Sequence, residues 1–105
     1  ANSIRKIKPV VLSITGPSSV SIESSTNYIA DFNDPDNKFS ELTFNWEIIP
    51  PVGFSSESIG TTIGNTNVCE VTTTDYTGSF DLQCTITDIH GNVSDPLSIS
   101  ISVTA

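Results

Sequence analysis

The chain has 105 residues, 12 acidic against 4 basic, for a net charge of -8. A length near 100 admits one domain with one core, and leaves little chain for an enclosed active site. Ser and Thr, 16 and 13 of them, stand where helical proteins place Lys and Glu, which favours strands and turns. From Pro9 onward 12 acids face a single Lys, Lys38, a net of -11. Such a surface repels phosphate backbones, so no nucleic-acid partner is expected. No apolar run reaches the roughly 18 residues a membrane helix needs, so neither membrane insertion nor a secretory leader at residue 1 is expected.

In chain order, residues 1–8 carry Arg5, Lys6 and Lys8 and are expected to form a linker or extended arm, with the domain over 9–105. Val10, Leu12 and Ile14 then alternate with other residues, a strand period of two. Val20 and Ile22 follow a Gly16-Pro17 break, and Tyr28, Ala30 and Phe32 form the next set. Leu42, Phe44, Trp46 and Ile48 alternate with Thr43, Asn45 and Glu47. Residues 50–67, rich in proline and glycine, predict a loop with one short edge strand. Cys69, Val71 and Thr73 form a weaker set; Phe80 to Ile86 and Leu97 to Val103 alternate cleanly. No window holds a helical stripe, so no helix longer than a turn is expected. The reading is all-β: about seven strands in a two-sheet antiparallel sandwich, centred on Trp46.

The run Gly78-Ser79-Phe80-Asp81-Leu82-Gln83-Cys84-Thr85-Ile86-Thr87-Asp88, followed by His90-Gly91-Asn92, resembles the sixth-strand motif of immunoglobulin-like (Ig-like) domains. The likeness is to the polycystic-kidney-disease (PKD) and bacterial Ig-like types. Asp34-Pro35-Asp36-Asn37 with Leu42-Thr43-Phe44-Asn45-Trp46 is similar to their Asp-Pro-Asp loop and Trp-bearing third strand. Ile14-Thr15-Gly16-Pro17-Ser18-Ser19-Val20 resembles first strands of surface-protein repeats. One departure is that Glu47-Ile48-Ile49-Pro50-Pro51 stands where PKD domains carry Asp-Phe-Gly-Asp-Gly.

The resemblance implies that the loops bearing Asp31, Asn33, Asp34 and Asp36, and Asp88 and Asn92, meet at one pole. Carboxylates converging there would offer calcium its hard oxygen ligands, so Asp31, Asp34, Asp36, Asp88 and Asn92 are the candidate metal set. The same residue types also build turns by bonding their own backbone, with no ion. Cys69 and Cys84 fall in core-facing sets on strands of different sheets. Either they form a bridge resembling the inter-sheet disulfide of antibody domains, or they are free buried thiols acting as small apolar residues. His90 is the one histidine, set in a Gly-Asn turn. No Gly-x-Ser-x-Gly elbow is present, so no catalytic residue is assigned and an enzyme is not expected. Asn92-Val93-Ser94 is an N-glycosylation sequon.

The expected function is a structural or adhesive module of a cell-surface, secreted or phage virion-surface protein, without a cofactor unless calcium binds. Its partners would be a protein or glycan surface ligand, or neighbouring domains or subunits. One alternative is a carbohydrate-binding module, for which Phe39 and Phe54 are the aromatics outside core registers. Another is a self-assembling subunit, a capsid decoration or extracellular filament, whose partner contact is the arm of Arg5, Lys6 and Lys8 pairing on a neighbour's edge.

Overall fold

The alternating runs become strands because each buries one face and wets the other. A computed structural model describes residues 9–34 and 39–105; Arg5, Lys6, Lys8 and Asp36 lie outside the described residues, as does the Phe39 side chain. Among the described residues the strands are β1 (Val10–Thr15), β2 (Ser19–Ser21), β3 (Ser25–Asn33), β4 (Leu42–Ile49), β5 (Gly60–Ile63), β6 (Val68–Thr73), β7 (Gly78–Asp88) and β8 (Leu97–Thr104). They form two four-stranded sheets, β1-β3-β6-β5 and β2-β8-β7-β4, antiparallel except where β2 runs parallel to β8. One turn of helix, α1 (Ser56–Ile59), precedes β5, and its start is capped by the Ser55 hydroxyl, which accepts from the Ser58 N–H. Residues 50–67 thus contain the expected edge strand, β5.

The core lies between the sheets. Tyr28, Cys69 and Val71 come from one layer, and Phe44, Leu82, Cys84, Ile86 and Ile101 from the other, each almost fully buried. Burying each large side chain of this kind contributes about 1.5–3 kcal/mol. Trp46 is 7% exposed, with its indole N–H donating to the Thr66 carbonyl at 2.8 Å, so the ring is both buried and satisfied.

The first strand departs from its expected face. Val10 and Leu12 are 45% and 57% exposed, whereas Val11 and Ile14 are 7% and 9% exposed. A bulge is the cause: Val11 pairs with Phe32 and Ser13 with Asp31, so Leu12 is an extra residue on β1 and the alternation slips. The chain then leaves one sheet at Gly16-Pro17 and enters the other as β2. The last crossing between the sheets, from β6 to β7, ends at Gly78, whose φ of +140° suits glycine alone.

Candidate functional site

The start of β4 lies beside the end of β7, with Leu42 opposite Asp88, which brings the β3–β4 and β7–β8 loops to one pole. Asp34 and Asp88 are buried there, while Asp31 stands exposed on the outer face, opposite Ser13. Asp88 is already engaged. Its Oδ1 accepts from the backbone N–H groups of His90 and Asn92, both at 2.9 Å, and its Oδ2 from the Asn92 amide at 3.1 Å. Burial alone would raise the Asp88 pKa, but the bonds from Asn92 and His90, with the charge of His90, outweigh it and hold the carboxyl below its ordinary value. Among the described residues no group of three or more His, Cys, Asp or Glu is placed to hold a metal ion.

The sequon belongs to the same turn. Ser94 is 4% exposed; its Oγ accepts the buried Ile86 N–H at 2.8 Å, and its own N–H donates to the Ile86 carbonyl at 2.8 Å. Ser94 thereby satisfies β7 before β8 takes over at Cys84. His90 is exposed and contributes its backbone N–H to Asp88.

Cys69 and Cys84 occupy different sheets, as their spacing predicts, and both are free, buried thiols. Cys69 lies opposite Tyr28 and Cys84 opposite Trp46. Burial pushes the Cys69 thiol up to about 11, the bond from the Ile63 backbone opposing it and the Glu70 charge adding to it. Burial, with Cys69 nearby, pushes Cys84 up to about 12. Both thiols are held protonated, the unreactive form.

Two surfaces are open to contact. The outer face of β1-β3-β6-β5 presents Leu12, Ile29, Val68 and Ile63, 57%, 49%, 40% and 63% exposed. Ile29 pairs directly with Val68, while Ile63 stands opposite Glu70, two residues on from Val68, and Leu12 sits at the bulge beside Asp31 and Phe32, so the pair Ile29–Val68 is flanked by apolar residues on both edge strands. The second surface is a furrow between the edges of β4 and β5. One part, about 300 Å³, is lined by Trp46, Glu47, Ile48, Glu57, Thr61 and Thr62. The adjoining part, about 590 Å³, shares Trp46, Glu47 and Thr62 and runs on past Phe44 and Asn65. Neither surface was singled out by sequence, because strand order decides which edges meet. Phe54, one of the two loop aromatics, is 52% exposed and packs edge-on against Tyr76, with ring centres 5.3 Å apart.

No protein-family model matches this sequence. No curated protein matches it either. Solved structures do match. The PKD domain of an M14-like peptidase from a Thermoplasmatales archaeon is 20% identical with a TM-score of 0.62, covering 94% of this chain and 98% of that one. A nucleoside hydrolase-related hypothetical protein from Saccharophagus degradans, associated with carbohydrate metabolism, is 17% identical with a TM-score of 0.66 over 92% of this chain. This chain spans only 26% of that protein. A lipoprotein from Bacteroides thetaiotaomicron is 12% identical with a TM-score of 0.57, covering 97% of this chain and 85% of its own. In fold, then, the chain is a PKD-like, Ig-like β-sandwich.

Proposed function

We propose that the chain is a non-catalytic contact module, structural or adhesive, of a cell-surface, secreted or virion-surface protein. The observation that carries this reading is the exposed apolar pair Ile29–Val68 at the middle of one sheet's outer face, with Leu12 and Ile63 exposed on the strands at either side, which a sandwich has no internal reason to leave uncovered. Its partner is a protein or glycan surface, or a neighbouring domain. The polar groups best suited to chemistry serve the scaffold. Asp88 holds its turn, Ser94 completes β7, and the Thr73 hydroxyl donates to the Ser21 carbonyl at 2.7 Å. Likeness to a peptidase's PKD domain and to a lipoprotein supports an extracellular setting. Neither a cofactor nor calcium is required.

The test is a double substitution, Ile29→Ser with Val68→Ser, on outward positions. Beads coated with the chain should bind protein or glycan arrays, and the double variant should lose that binding while melting at an unchanged temperature. Turnover of an ester, peptide, glycoside or phosphoester substrate that depends on His90 would overturn the reading. A second reading, a self-assembling subunit, is favoured by the open edge of β4.

A further inference from the structure

A strand edge offers backbone groups to whatever can pair with them, and proteins normally blunt such edges. Three of the four edges here are blunted: β1 is bulged and follows Pro9, β2 has three residues, and β5 has four with a glycine at each side. β4 has eight residues with no proline, lysine or bulge. Phe44 donates its N–H to the Asn65 carbonyl, away from β7, so Phe44, Trp46 and Ile48 aim their backbone groups outward, two residues apart. The Trp46 carbonyl accepts the Thr62 hydroxyl at a long 3.4 Å. Among the described residues the Trp46 N–H and both backbone groups of Ile48 have no partner. These groups open into the furrow, whose lining includes the carboxylates of Glu47 and Glu57.

We propose that the β4 furrow takes residues 1–8 of a second copy of this chain as an added strand. The charge fits: Arg5, Lys6 and Lys8 are three of the four basic residues, while the body that would receive them carries -11. Extended, such a segment presents Lys6 and Lys8 on one side and Arg5 on the other, facing Glu47 and Glu57 across the two walls. The arm comes from a second copy because a chain's own arm leaves from β1, at the edge of its sheet opposite β5. To arrive it would have to cross three strands and not lie along β4. This contact rests on the second reading above, the self-assembling subunit, and names its occupant; an empty furrow removes that reading and leaves the outer-face contact intact.

Charge reversal on the full chain tests it. Sedimentation velocity from micromolar concentrations to about 1 mM should reveal self-association. Either Arg5→Glu/Lys6→Glu/Lys8→Glu or Glu47→Lys/Glu57→Lys should weaken it at least about tenfold, and 0.5 M salt, about a 4 Å screening length, should do likewise. The two reversals combined should restore it. In the associated state the Trp46 and Ile48 amides should exchange more slowly with solvent. A chain that stays monomeric to about 1 mM overturns the proposal, whether or not its Ile48 amide is protected. Association that ignores both reversals, or reversals whose combination fails to rescue, overturns it too. Melting temperatures of the variants separate loss of contact from loss of fold.

Discussion

Tyr28 lies over Gly16 and donates its hydroxyl to the neighbouring Pro17 carbonyl at 2.6 Å, so one aromatic ring on β3 holds the point where the first strand changes sheets. A Cβ on residue 16 would collide with the ring carbons of Tyr28, the far side of a fully buried side chain. Gly16→Ala is therefore expected to cost about 1–3 kcal/mol, as overpacking does. Tyr28→Phe keeps the ring and loses the bond, and should cost about 1 kcal/mol. Urea unfolding of both variants measures the pair; equal losses would mean that the ring's position is not what matters.

The indole of Trp46 supplies a second measurement. Its emission should be blue-shifted in the native chain and move to the red on unfolding, because the ring is 7% exposed. Trp46→Phe leaves the Thr66 carbonyl without its donor and should cost about 1–3 kcal/mol.

For the thiols, protonation is tighter in the folded state than in the unfolded one, since both values are raised from 9.0, to about 11 and about 12. Their contribution is complete below pH 9.0 and is lost as pH rises toward about 12. Stability should thus fall through that alkaline window, and Cys84→Ala should make the fall shallower. A maleimide should leave the native chain unlabelled and modify both cysteines in denaturant without reductant. No labelling there would show a disulfide.

The Asp88 turn answers to acid. Its carboxyl is held below 3.8, so its contribution is present above that pH and is lost as pH falls through the lower folded value. Asp88→Ala should lower the melting temperature at pH 7 and reduce the loss seen on acidification. Ser94→Ala should cost about 1–3 kcal/mol at any pH, because the buried Ile86 N–H loses its acceptor.

Much of this fold was legible because alternation reports burial directly: Phe44, Trp46 and Ile48, or Leu82, Cys84 and Ile86, face inward in both sequence and structure. At Leu12 the same rule fails. A bulge inserts one residue and swaps the faces, and nothing in Val10-Val11-Leu12-Ser13-Ile14 marks which residue is extra. Outward Ile29 and Val68 follow from the same alternation, out of phase with Tyr28 and Ala30 and with Cys69 and Val71, but that they sit side by side depends on β3 pairing with β6. At the acidic pole, Asp88 and Asn92 fit either an ion or a turn; the hydrogen bonds to Oδ1 and Oδ2 supply the turn. The furrow depends on β4 and β5 facing each other from different sheets, a relation spread over the whole topology.

The parallel pairing of β2 with β8 has a mechanical consequence. Ser19, Val20 and Ser21 run beside Ser102, Val103 and Thr104 in the same direction, with flanking bonds from Ser102 to Ser18 and from Ile22 to Thr104. Tension entering ahead of β1 and leaving through Ala105 would pull these two strands along their length in opposite senses. Their hydrogen bonds would be strained together in shear and not unzipped one by one, so once β1 has parted from β3 the small β2 strand is the clamp that holds a load on a tethered chain ahead of the rest of its own sheet.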